Sequence, residues 1–317
     1  MVGHVVVTGA FSYTGAAVAG ELIRRGVTVR TLTNRQPPPG SVAIPHAPLR
    51  MDGAYLTDQL KGADALVNTY WIRLPHGRAD FGTAVRDSRI LIEAATRAGV
   101  RRLVYVSVSN AGQGHHLGYY AGKAAVEQIV RECDLSHAIV RPTLIVGPCD
   151  VLTNNIAWFL RRFPAFLLPD GGGYRLQPVT LSDTARIVAD ALESGGDIEI
   201  DAAGPDTIMF SEYVRWIAEA CDVQRPFVGV PGWLSLVCIR FVGALLRDVV
   251  LTREEMLGLE QELLVSHEPP RGRESVRSWL HSNGTNLGRS YLNDIHRHFG
   301  AGRHATISPP TRLPRLG

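Results

Sequence analysis

Val5-Val6-Val7-Thr8-Gly9-Ala10-Phe11-Ser12-Tyr13-Thr14-Gly15 is the stretch on which the reading of the whole chain turns. Its β-branched run reads as a strand buried on both faces, and Ala16 to Arg25, stopped by Gly26, reads as a helix ended by a glycine. The turn between them must be tight. Gly9 lets the backbone leave the strand sharply, Gly15 lets helix and strand approach closely, and the free amides of the helix start face whatever lies over the turn. A pyrophosphate is the usual occupant. Ser12 replaces the middle glycine of G-x-x-G-x-x-G, and its hydroxyl can donate to phosphate. Gly9, Phe11, Ser12, Tyr13, Thr14 and Gly15 are therefore the expected dinucleotide-binding turn.

Strands and helices alternate outward from this turn. Val27–Thr33 reads as a second strand, followed by a Pro-rich loop at Pro37-Pro38-Pro39-Gly40 and an extended piece ending near Met51-Asp52. Helix Tyr55–Lys61 leads to strand Ala65–Thr69, helix Phe81–Ala98 to strand Leu103–Ser107, and helix Tyr119–Cys133 to strand Ala138–Arg141. That rhythm predicts an α/β fold, a Rossmann-type doubly wound parallel sheet with helices on both faces. After Pro142 the rhythm loosens. Asn154–Arg162 and Ser182–Glu193 read as helices, and Tyr174–Val179 and Ile198–Ile200 as extended. Further helices are expected at Ser211–Ala220, Trp233–Leu246, Thr252–Leu264, Ser275–His281 and Asn286–Phe299. The division expected is a nucleotide domain over 1–150, completed by part of 175–205, a smaller, mostly helical substrate lobe over 151–300, and a loose tail over 301–317 rich in Pro, Arg and Gly.

Composition narrows the function classes. A chain of 317 residues with 45% hydrophobic content can build a sizeable core. The net charge of +3 is small and its basic residues are dispersed, so no nucleic-acid partner is expected. Cys133, Cys149, Cys221 and Cys238 lack C-x-x-C spacing, which suggests neither a metal site nor a disulfide framework. That usage, and a first strand starting within a few residues of Met1, fit a reduced, cytoplasmic protein. Phe227–Leu246 is apolar enough to raise a membrane question, but Pro231, Gly232 and Arg240 interrupt it, so a helix covering the substrate lobe is expected and no membrane span. His115-His116 lack a partner at ligand spacing and read as loop residues.

Chemistry is suggested by Tyr119-Tyr120-Ala121-Gly122-Lys123, a Y-x-x-x-K at a helix start. Positions i and i+4 share a helix face, so Tyr119 and Lys123 can point into one pocket. An ammonium near a phenol lowers the tyrosine pKa and suits it to proton transfer near neutrality. Lys123 is one of the chain's two lysines, the other being Lys61. Cofactor choice is read at the end of the second strand, Thr33-Asn34-Arg35. No carboxylate stands there to repel a phosphate and Arg35 can reach one, which favours NADP, with NAD as the alternative. The stretch Asn68-Thr69-Tyr70-Trp71-Ile72-Arg73-Leu74-Pro75-His76 follows the fourth strand on the side where such sheets bind ligands. Asn68 and Thr69 are candidates for the cofactor, and Tyr70, Trp71, Asn155 and Trp158 for a small-molecule substrate.

Taken in order, these motifs resemble the short-chain dehydrogenase/reductase superfamily in its extended or atypical branch. The resemblance spans residues 3 to about 220 and rests on Thr8-Gly9-x-x-Ser12-x-x-Gly15, Asp52, Ser107-Val108-Ser109, Tyr119 with Lys123, Arg141-Pro142-x-x-x-x-Gly147-Pro148, and Gln177-Pro178-Val179 followed by Asp183. More narrowly the chain is similar to epimerase/dehydratase-like proteins related to the NmrA-like and complex I 39-kDa-subunit-like group. The resemblance implies Tyr119 as general acid/base, Lys123 on the nicotinamide ribose hydroxyls, Asp52 on the adenine amino group, and the backbone of Pro142, Thr143 and Leu144 at the carboxamide. Val108 falls at the usual catalytic hydroxyl, so that role lies open between Ser107 and Ser109. Ala84 falls where the extended branch often has asparagine. Implied too are a homodimer through Phe81–Ala98 and Tyr119–Cys133, with Ile90, Ile129 and Val130 either at that interface or against the sheet, and an oxidoreductase moving hydride to or from a carbonyl or alcohol. The alternatives are an epimerase, dehydratase or cyclase without net redox, and a non-catalytic dinucleotide-binding sensor or assembly protein.

Overall fold

A computed structural model describes residues 3–77 and 79–299, so the tail expected over 301–317 lies outside the described residues. The first half runs β1 (His4–Thr8), α1 (Tyr13–Arg24), β2 (Thr28–Leu32), β3 (His46–Ala47), α2 (Gly53–Leu60), β4 (Ala65–Asn68), α3 (Phe81–Arg97), β5 (Arg102–Val106), α4 (Gly118–Arg131) and β6 (Ser136–Pro142). There follow β7 (Leu144–Val146), α5 (Val151–Arg162), β8 (Phe166–Pro169), β9 (Arg175–Leu176), β10 (Pro178–Thr180), α6 (Leu181–Glu193), β11 (Ile198–Ala202), β12 (Ile208–Met209), α7 (Phe210–Ala220) and β13 (Phe227–Val230). Last come α8 (Gly232–Leu246), α9 (Arg253–Glu260), α10 (Val276–Asn283) and α11 (Asp294–Phe299).

Seven strands form one parallel sheet in the order β11-β6-β5-β4-β1-β2-β3, the doubly wound arrangement expected. The two-residue period of a strand sorts its side chains onto opposite faces. Val5 and Val7 of β1, Val104 and Val106 of β5 and Val140 of β6 join α1 and α6 through Val18, Leu22, Val188 and Leu192. Val6, Leu103, Tyr105 and Ile139 turn the other way, onto Leu56, Leu60, Leu91, Ile92, Val126 and Val130 of α2, α3 and α4. Continuous apolar runs in β1, β4 and β5 are what such two-sided burial demands. Ile129 and Val130 are both buried, and with half-buried Ile90 they pack into this core.

A separate core underlies the second lobe, where α5, α7 and α10 pack through Ile156, Leu160, Tyr213, Ile217, Trp279 and Leu280. Local details correct the sequence reading. Helix α1 starts at Tyr13 because Ser12 takes the N-cap position. The stretch expected extended over Tyr174–Val179 splits into β9 and β10 around Gln177, whose amide donates to the Gly204 carbonyl and accepts from the Ser266 amide. Helix α9 ends at Glu260, with Glu262 in the left-handed region at φ 56°. Of Asn286–Phe299, only Asp294–Phe299 is α-helical, and Asn286 closes a short 3-10 turn that starts at Gly284.

Candidate active site

The turn from Gly9 to Gly15 is built by contact. A Cβ on Gly15 would lie 2.2 Å from the Gly9 carbonyl oxygen, so only glycine permits α1 to sit against the turn. Gly9 takes φ +69°, which a side chain would strain. The Ser12 hydroxyl donates to the Gly9 carbonyl at 2.6 Å and makes no hydrogen bond to the first amides of α1. Those amides and the bare backbone of the turn make a cradle that fits a pyrophosphate. Phe11 packs beneath, edge-on to His46 at 5.5 Å. The Tyr13 hydroxyl is buried with no hydrogen bond, and burial with the nearby Asp150 raises its pKa.

Groups at the strand ends are tied into the fold. Thr8 and Asn68 join β1 to β4 through a 3.2 Å hydrogen bond, and Thr69 donates its hydroxyl to the Thr8 carbonyl. Asn34 pairs with both backbone groups of Leu49. Arg35 reaches the wall of the cavity described below. Asp52 caps α2 by accepting from the Tyr55 amide at 2.7 Å. The Tyr70 hydroxyl donates to Asp87 at 2.7 Å, on the α3 side.

Tyr119 and Lys123 lie on one helix but address different partners. Lys123 is 3% exposed and its ammonium donates to the Val106 carbonyl at 2.8 Å, between the rings of Trp71 and Tyr105 at 4.8 and 5.0 Å. Burial pushes its pKa down to about 7. The Tyr119 phenol lies at depth although its ring is half-exposed, and burial pushes its pKa up to about 12, with Glu255 adding to the rise and Arg73 opposing it. The lowering expected from Lys123 is thus corrected: the cation whose field reaches the phenol is Arg73. Of the two candidate serines, Ser109 donates to the Leu263 carbonyl at 2.7 Å, whereas the Ser107 hydroxyl is buried beside that of Tyr105. Val108, between them, faces the cavity.

That cavity, of about 940 Å³, joins the sheet to the second lobe. Of the expected site residues, Tyr13, Thr14, Arg35, Tyr119, Thr143, Leu144 and Asn155 line it. Trp71 does not; it packs on α4, stacked with Phe81 at 6.2 Å and edge-on to Tyr119 at 6.1 Å, in a space that a Cβ on Gly122 would invade at 2.8 Å. Trp158 turns to Tyr291 and Arg162, and the Asn155 amide bonds both backbone groups of Leu292. Most of the wall is apolar, from Ile156 and Phe159 of α5, Phe166 of β8, and Ile239 and Val242 of α8.

Sequence reasoning missed the polar group beside Tyr119. Arg73 donates to Glu255 at 2.7 Å and pairs with Asp294 at 3.1 Å, and all three line the cavity. Arg73 stood in a stretch already singled out, and Thr252-x-x-Glu255 is a legible capping box whose Thr252 hydroxyl accepts from the Glu255 amide at 3.0 Å. Nothing local pairs Glu255 with an arginine 182 residues earlier. Asp150, at the start of α5, also lines the wall, its pKa pushed up to about 6 by burial against the lowering effect of its hydrogen bonds from Thr153 and Leu152.

Residues 9–149 match a family of NAD(P)H-binding domains. The chain carries an NAD(P)H-binding domain. Among curated proteins, a ceramide reductase from Caulobacter vibrioides is 27% identical over 70% of this chain, and the match spans 66% of that relative, just under two thirds. Sterol demethylase protein B from Methylococcus capsulatus is 26% identical over 71% of this chain and 77% of its own. Among solved structures, a short-chain dehydrogenase/reductase superfamily protein from Agrobacterium tumefaciens with bound NAD aligns at a TM-score of 0.59, 19% identical, covering 72% of this chain and 85% of its own. At that identity the likeness is one of fold. The NAD(P)H-binding match ends at residue 149, so most of the apolar cavity wall lies beyond it.

Proposed function

We propose that the protein is an NADP-preferring oxidoreductase that moves hydride between the nicotinamide and a carbonyl or alcohol carbon of an apolar, lipid-like substrate. The cavity carries this reading, because one continuous space touches the phosphate turn, the Tyr119 phenol and the apolar second lobe. The substrate names of two relatives, a ceramide and a sterol, suit such a lining. The dinucleotide supplies or takes the hydride when bound. Tyr119, with a pKa near 12, is protonated at neutral pH and suited to give its proton to oxygen, while Arg73 is placed to stabilise the phenolate left behind. At neutral pH the phenol is in its protonated form, the form that carbonyl reduction requires. Arg35 supports the preference for a 2′-phosphate.

A redox-silent reading draws support from Val108 at the cavity wall and from Lys123 bonded to the Val106 carbonyl. Purified protein given NADPH and ketones of rising chain length separates the two. Loss of reduced-nicotinamide absorbance should quicken with chain length and should be several-fold slower with NADH. NADPH binding with no ketone reduced would favour the silent reading, and binding of neither cofactor would remove both.

A further inference from the structure

Helix α8 is apolar on both sides. Its inner face, Ser235, Cys238, Ile239 and Val242, lines the cavity. Its outer face carries Trp233, Val237, Phe241 and Leu245, which are 68%, 56%, 77% and 78% exposed. Residues four apart follow one another along a helix, so these four make a continuous stripe. Leu167 and Val228, on the paired strands β8 and β13 that adjoin the helix, are exposed as well. A helix that serves only as a cavity lid would turn polar side chains to water. This one exposes its largest apolar groups there.

We propose that this face docks the protein on an anionic lipid bilayer, with α8 lying in the plane of the headgroups. The charged residues of the helix and its C-cap are Arg240 and Arg247, both exposed and both cationic, so the face complements an anionic surface. Trp233 stands at the N-terminal end, where an indole suits the boundary between headgroups and acyl chains. The helix has 15 residues, roughly 22 Å at 1.5 Å per residue, and among the described residues no helix is long and apolar enough to cross a membrane. It therefore lies on the surface, its outer side chains reaching the acyl boundary. One helix then separates bilayer from cavity, and an apolar molecule leaving the membrane needs to pass only that wall. The docking rests on the exposed face alone and stands whether or not the proposed reduction is correct.

The test is co-sedimentation with vesicles of phosphatidylcholine alone and of phosphatidylcholine mixed with phosphatidylglycerol. The full-length protein should sediment with both, several-fold more with the anionic vesicles, and salt should remove that excess. The double variant F241E/L245E should lose binding by roughly tenfold or more while keeping its unfolding temperature and NADPH binding, since both side chains are exposed. R240E/R247E should lose only the preference for anionic lipid. Failure of the wild-type protein to bind either vesicle would overturn the proposal. So would a dimer in sedimentation velocity that F241E/L245E splits into monomers, because α8 would then be covered by a second copy of the chain.

Discussion

The Lys123 ammonium donates to the Val106 carbonyl at 2.8 Å and so closes the end of β5 onto α4. Two aromatic rings, Trp71 and Tyr105, cover it, and burial holds its pKa near 7. Unfolded, a lysine keeps its proton to about pH 10.4. Between those values the unfolded chain holds the extra proton, so stability from this residue rises with pH, by at most about 1.4 kcal/mol per unit. Thermal unfolding should therefore show a gain from pH 7 to pH 9 that K123M lacks. A wild-type curve parallel to that of K123M would mean that the amine stays charged in the fold.

The contact of Gly15 with Gly9 supports a second expectation. In G15A the new methyl must displace backbone, because the Gly9 oxygen and carbon lie 2.2 and 2.7 Å from its position. Helix α1 would shift from the turn, at a cost of about 1–3 kcal/mol. NADPH affinity measured by fluorescence should fall at least tenfold, more than the loss of stability alone accounts for. Unchanged affinity in G15A would remove the turn as the phosphate site.

Much of this fold was legible because the signals are local. Val5–Val7 and Ala65–Val67 are too apolar for anything but doubly buried strands, and Gly9 with Gly15 specify a turn by sterics alone. The spacing of Tyr119 and Lys123 fixed a shared helix face but not where a long, flexible lysine places its head. The Val106 carbonyl competes for that head. Trp71 looked like a pocket residue because it follows a strand end, whereas its place on α4 depends on Gly122, 51 positions away in the chain. The cavity wall was the least legible part. Helix α8 was expected as a lid, but an apolar residue facing substrate and one facing solvent look alike in a sequence.

The group formed by Arg73, Glu255 and Asp294 tests how the cavity holds its charge. Asp294 has only 4% of its side chain exposed, against 27% and 29% for Arg73 and Glu255. Removing the guanidinium in R73M takes the shared cation from two carboxylates, one of them buried. The loss of stability should be about 2–4 kcal/mol, below the 3–5 of a fully buried pair because Arg73 and Glu255 are partly hydrated. R73K keeps the charge without the fork and should recover only part of it. Chemical denaturation measures both, and equal stability of R73M and wild type would show that the group is solvated.

The phenol of Tyr119 is the decisive residue for the proposed chemistry. It lies within the field of Arg73 and Glu255, and its ring contacts Trp71 and Phe81. Those ring contacts survive in Y119F, so the fold and NADPH affinity should hold while ketone reduction falls by roughly 10²–10⁴. Tyr120 is the control: it also borders the cavity, but a Cβ on Gly258 would meet its hydroxyl at 3.2 Å, which places that hydroxyl against α9. Y120F should change turnover by less than a few-fold. Because the phenol is protonated up to about pH 12, reduction should show no loss of rate from Tyr119 across the neutral range. E255Q removes the neighbouring negative charge and should draw the phenol pKa downward, seen as a fall in reduction rate beginning at lower pH than in the wild type. Equal losses in Y119F and Y120F would make both tyrosines packing residues, and a wild-type rate in Y119F would sink the proton-donor role and leave the redox-silent reading as the better account.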